Sequence, residues 1–176
     1  MSAEIIDQAT AMAALAKVRD ELKSAVADGE TAMGNLRAEI VKVRPSGLLT
    51  VDEMAEAIDR DRNYVDSVWS SYGDTTKGKQ TRVAVPENAD GEKARRAYET
   101  LHTLSDSQRK AAGHEKTARA ERDRVVAIVY GSKLFGPSAI AAAVGVDRNH
   151  VLRIARKAGV QPQHRTASRN QYTTAK

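Results

Sequence analysis

The chain has 176 residues, enough for one ordinary domain or two small ones, and its 4% aromatic and 29% charged composition, with alanine frequent, favours helices over sheet. A formal net charge of +5 suits a polyanionic partner without requiring one. The absence of cysteine excludes disulfides and Cys-ligated zinc, and His102, His114, His150 and His164 show no metal-ligand spacing, so neither metal nor cofactor is expected. With no signal segment and no apolar run of membrane-spanning length, the expectation is a cytoplasmic protein with no membrane partner.

From Ile5 to Val43, apolar residues recur every three or four positions (Ala11, Leu15, Val18, Leu22, Val26, Met33, Leu36, Ile40 and Val43), which predicts helix. Ala27-Asp28-Gly29-Glu30 is a candidate break, so one long helix and a hairpin of two are both open. Arg44-Pro45-Ser46-Gly47 ends this scaffold, because Pro45 biases Arg44 away from helix and Gly47 interrupts it. Thr50 and Glu53 form a capping box that starts a short helix with Met54, Ala55 and Ile58 inward. Asp59 takes the turn, since Asp tolerates a left-handed conformation. Asp61 then caps a second helix with Val65, Val68 and Trp69 inward.

Residues 74–91 are polar and rich in Gly, Thr and Asn, and read as a linker with a short extended piece at Thr81 to Val85. Its Lys77, Lys79 and Arg82 are solvated or touch phosphates. Further on, Ser105 to Gln108 reads as an S-x-x-Q box that starts a new helix after Leu104 and runs it to about Tyr130. Phe135 to Gly159 then presents two short apolar stripes, Ile140, Ala141 and Val144, followed by Val146, Val151 and Ile154. Gly145 sits at the turn, Asp147 caps the second helix, and Gly159 closes it. Residues 161–176, with His164, Arg165, Arg169 and Lys176, form a basic polar tail.

Sliding the chain by 86 positions brings Asp61, Arg62, Asn63 and Val65 onto Asp147, Arg148, Asn149 and Val151. The same shift pairs Ala11 with Ala97, Leu15 with Leu101, Ala55 with Ala141 and Gly73 with Gly159. The reading is two copies of one unit, roughly residues 4–73 and 90–160. The expected fold is all-α: a first helical unit at 1–73 with paired short helices at about 50–72, a linker at 74–91, and a second unit at 92–160 with its pair at about 136–159.

Ala141, the glycine four residues on, the cap Asp147 and β-branched Val151 resemble the helix-turn-helix family, and the whole is similar to small regulators and repressors of high-GC bacteria and their phages. That resemblance implies double-stranded DNA as partner, with the second helix of each pair in the major groove. The implied DNA-binding residues are Arg148, Asn149, His150, Arg153, Arg156 and Lys157 in the second copy, and Arg62, Asn63, Tyr64 and Ser67 in the first. Arg donates bidentately to guanine and Asn pairs with adenine, which makes the shared Arg-Asn start the candidate base reader. A single chain on a bipartite site and a homodimer on a palindrome are both open.

Charge separates the copies. Leu48 to Gly73 holds two Arg against six Asp and Glu, whereas Leu134 to Gly159 holds four Arg and Lys against Asp147 alone. The second copy is therefore the expected phosphate binder, and the first a weaker DNA contact or a protein contact through Tyr64, Trp69 and Tyr72. No phosphate loop, nucleophile elbow or HExxH appears, so no enzyme and no catalytic residues are expected.

Overall fold

The computed structural model describes residues 7–73 and 90–161, and the expectations for Thr81 to Val85, Lys77, Lys79, Arg82 and the basic tail lie outside them. The described residues are helical with no strand, an all-α fold. In chain order the helices are α1 (Gln8–Val43), α2 (Val51–Ala57), α3 (Arg62–Tyr72), α4 (Gly91–Gly131), α5 (Pro137–Val144) and α6 (Arg148–Lys157), with one 3-10 turn at Arg44–Ser46.

Each long helix has a side-chain start signal. Asp7 accepts from the Thr10 amide at 2.8 Å, which satisfies one of the free N–H groups at the head of α1 and holds the Asp7 carboxyl below its usual range. Asp90 does the same for α4, accepting from the amides of Glu92 and Lys93. Gly91, expected in the linker, is the first residue of α4.

α1 continues unbroken through Asp28 and Gly29. Gly inside a helix costs about 1 kcal/mol relative to Ala, and the fully buried Ala25 and nearly buried Leu36 on either side offset that locally unfavourable stretch. α4 also runs without interruption, which corrects the expected helix start after Leu104. Ser105 is buried in mid-helix, and its hydroxyl donates to the Ile58 carbonyl at 2.8 Å. The S-x-x-Q spacing therefore serves a contact 47 residues away rather than a cap.

Among the described residues the contacts form two compact units, one of 7–24 with 116–161 and one of 25–73 with 90–115. This grouping differs from the sequential division, because α1 and α4 each supply residues to both units. In unit 1, Ala11 and Leu15 of α1 join Val126, Val129 and Tyr130 of α4 around Ile140, Val144, Val151 and Ile154. In unit 2, Leu36, Ile40 and Val43 of α1 join Ala97 and Leu101 of α4 around Met54, Ile58, Val65 and Val68. Trp69, expected inward, is half-buried, with the Arg44 guanidinium 5.4 Å over its ring. An added Cβ at Gly73 would come within 2.6 Å of the Trp69 carbonyl oxygen, so only glycine fits the end of α3.

Positions 86 apart carry matching local geometry. Ser46 donates to the Val43 carbonyl at 2.6 Å, and Ser132 to that of Val129 at 2.7 Å. The next residues, Gly47 and Lys133, have φ of 68° and 62°. Asp59 and Gly145 turn their helix pairs at φ of 50° and 70°.

This last pair predicts substitutions of opposite sign. Gly145→Ala should destabilise unit 1 by about 1 kcal/mol, because a Cβ is unfavourable at positive φ. Asp59→Gly should relieve the same strain in unit 2 at the loss of an exposed ion pair to Arg109, leaving stability unchanged or slightly raised. Urea denaturation of both variants checks this.

Candidate nucleic-acid interface

α6 is amphipathic by spacing. Val151, Ile154 and Ala155 are buried against α1, α4 and α5, with Leu152 and His150 half-buried beside them, and the other positions of the helix face solvent. Asp147 caps the helix, accepting from the His150 amide at 2.8 Å. In the tight turn that feeds it, the Val146 amide donates to the Ala141 carbonyl at 3.0 Å.

The sequence-derived candidates on α6 come together on that outer side. Arg148, Asn149, Arg153, Arg156 and Lys157 are exposed, and His150 is half-buried. Asn149, Arg153 and Arg156 follow an i, i+4, i+7 stripe. Among the described residues, no carboxylate pairs with Arg148, Arg153, Arg156 or Lys157.

His150 has a contact that the motif alone does not reveal. Its Nδ1 lies 2.9 Å from the Arg153 guanidinium and its Nε2 lies 3.2 Å from that of Arg122 on α4. A neutral imidazole has one acceptor nitrogen, so it takes a hydrogen bond from one guanidinium at a time. Arg122 is itself held by Asp123 at 2.6 Å, with only 11% of its side chain exposed. Arg122 of α4 and Arg153 of α6 thus compete for the single acceptor nitrogen of His150. Arg122 lies 28 positions from His150, and nothing in the local pattern around Asp147 could have signalled it.

The heads of the two short-helix pairs differ. α5 begins at Gly136-Pro137 with no side-chain cap and no acid in its first turn; Pro137 has no N–H and the Ala139 and Ile140 amides donate to the Gly136 carbonyl, which leaves the Ser138 amide. Anions favour such a helix end. α2 instead begins with the complete Thr50–Glu53 capping box and Asp52 beside it. On α3, Arg62 is exposed but lies 3.5 Å from Asp52. Asn63 and Ser67 are exposed, while Tyr64 is half-buried, donating to the Met33 sulfur at 3.4 Å beneath the Arg60 guanidinium.

The imbalance extends through each unit. Among the described residues, unit 1 carries twelve Lys and Arg against six Asp and Glu, net +6, and unit 2 carries ten against fourteen, net −4. No group of three metal-ligating side chains occurs among the described residues, and none of their helices is long and apolar enough to cross a membrane. No family model, curated protein or solved structure matches the chain.

Removing the cap tests how the α6 surface is positioned. Asp147→Ala should lower stability by about 0.5–2 kcal/mol and speed hydrogen exchange at the His150 amide, and Asp61→Ala should act likewise at Tyr64.

Proposed function

We propose that the protein is a sequence-specific double-stranded DNA-binding regulator of transcription, repressor-like, that reads DNA mainly through α6. The observation that carries this reading is the exposed set Arg148, Asn149, Arg153, Arg156 and Lys157, whose cations have no carboxylate partner among the described residues. Lys and Arg that neutralise phosphates supply most sequence-independent affinity. Arg and Asn near a helix start suit base edges in the major groove, where each bidentate pair gives about 1–3 kcal/mol of discrimination. The uncapped head of α5 offers a further phosphate contact.

α3 is the second, weaker reader on a bipartite site, through Arg62, Asn63 and Ser67. Tethering two modest binders on one chain raises the effective concentration of the second contact. Cytoplasmic action on the nucleoid follows, and the length of the footprint distinguishes one chain on a bipartite site from a homodimer on a palindrome. A second reading is favoured by the net −4 charge of unit 2 and by the capping box and Asp52 at the head of α2, which oppose phosphate there. On that reading unit 2 contacts a protein of the transcription or nucleoid machinery.

Selection from random duplexes followed by gel shifts tests the proposal. Arg148→Ala and Arg153→Ala should each weaken the selected site by about 1–3 kcal/mol, and Arg153→Ala should also relax one base position. Affinity should fall steeply with salt. Unchanged affinity in both variants overturns the assignment, and salt-tolerant capture of a protein without duplex binding supports the second reading. Arg62→Ala should cost less than Arg148→Ala, because Asp52 already engages Arg62.

A further inference from the structure

Each core is completed by a segment from the other sequence copy. In unit 1 the short helices α5 and α6 and the last turns of α4, with Val126 and Val129, belong to the second copy, whereas Ala11 and Leu15, near the start of α1, belong to the first. In unit 2 the parts are reversed. There α2, α3 and the last turns of α1, with Ile40 and Val43, come from the first copy, and Ala97 and Leu101, near the start of α4, from the second. Leu15 and Leu101 have no exposed surface. Each, with the alanine one turn before it, is enclosed in a core whose other buried members belong to the opposite copy.

The two arrangements correspond position by position. Ala11 and Leu15 lie 86 positions before Ala97 and Leu101, and the surfaces that receive them correspond at the same shift: Ile40 with Val126, Val43 with Val129, Ile58 with Val144 and Val65 with Val151, all buried. A polar contact follows the same rule. Arg19 of the first copy donates to the Ala143 carbonyl near the end of α5 at 3.4 Å. Ser105, 86 positions after Arg19, donates to the Ile58 carbonyl at the end of α2 at 2.8 Å. The bonded groups are 124 and 47 residues apart, so helix formation within either copy does not produce this reciprocity.

A segment that enters its partner's core while the equivalent segment of the partner returns the contact is the geometry of an isologous, exchanged pair. We propose that the long helix with its two short helices is a pairing module, that the partner it fits is another copy of itself, and that this chain carries both members of the pair. One copy alone would leave a Val- and Ile-lined core open where the opposite Ala and Leu now sit, and apolar surface left in water is unfavourable. The partner surface that a homodimer would need is therefore filled within the chain. Pairing depends on the duplication and on the make-up of the two cores, not on what α6 binds.

A protease site inserted between residues 74 and 89, and cut after folding, tests the pairing in the otherwise intact protein. The two pieces should co-elute at micromolar concentration and separate only when unfolded in urea. Methyl NOEs on the uncut chain should connect Leu15 with Val126 or Val151, and Leu101 with Ile40 or Val65. Leu15→Asp with Leu101→Asp should release the cut pieces, weakening their association by about a hundredfold or more, because each puts an unpaired carboxylate in a core. Met12→Asp, on the same turn of α1 but 39% exposed, should leave the pieces joined. The uncut chain should sediment as a monomer. Pieces that separate on cutting, NOEs from Leu15 to Ile40 or Val65 instead, release by Met12→Asp, or retention in the double Asp variant each overturn the proposal. A dimer of the uncut chain also overturns it, placing the exchange between chains.

Discussion

The burial of one side of α6 decides what its other side can do. Val151 has no exposed surface, and Ile154 and Ala155 are nearly as enclosed, against a core drawn from α1, α4 and α5. Burying a Val or Ile side chain is worth about 1.5–3 kcal/mol each, an upper figure because the unfolded chain is already partly collapsed. An exposed charge contact is worth about 0–1 kcal/mol. Packing therefore sets the helix orientation, and the four cations lie where that orientation puts them. The capped start at Asp147 and the left-handed Gly145 fix where the helix begins, and hence which residues fall on the stripe.

The same local architecture carries different chemistry in the two units. Unit 2 has the matching cap at Asp61, the matching turn at Asp59 and a comparable apolar side at Val65 and Val68. Three of its cations, however, are engaged close to home: Arg62 with Asp52, the largely buried Arg44 with Asp66 at 2.7 Å, and Arg109 with Asp59 at 3.2 Å. A cation already paired with a carboxylate gains less from a phosphate, since the first pair must be given up. The two units thus differ in net charge and in how their cations are paired, although both place an apolar side of a short capped helix in a core.

Local signals were legible in the sequence, and long-range ones were not. The Thr50–Glu53 box, the Asp61 and Asp147 caps and the positive-φ turns at Asp59 and Gly145 each depend on residues within a few positions. The exposure of Arg148, Asn149 and Arg153 followed from helical spacing alone. The continuity of α1 through Gly29 could not be read locally, because distant burial decides it. Ser105 illustrates the reason: a hydroxyl has the same composition whether it caps a helix or reaches the Ile58 carbonyl. The link from Arg122 to His150 escaped for the same cause. Membership of the two units escaped as well, since an apolar stripe records that a side is buried and not which segment covers it.

The discontinuous make-up of unit 1 bears on its birth at the ribosome. Ala11 and Leu15 are made before the whole of unit 2, and their neighbours Val126, Ile140 and Val151 only after it. At typical elongation rates that gap is on the order of ten seconds, during which a nascent apolar stripe waits without its cover. Unit 2 closes earlier, once Ala97 and Leu101 have cleared the exit tunnel, so the acidic half of the molecule matures ahead of the basic half.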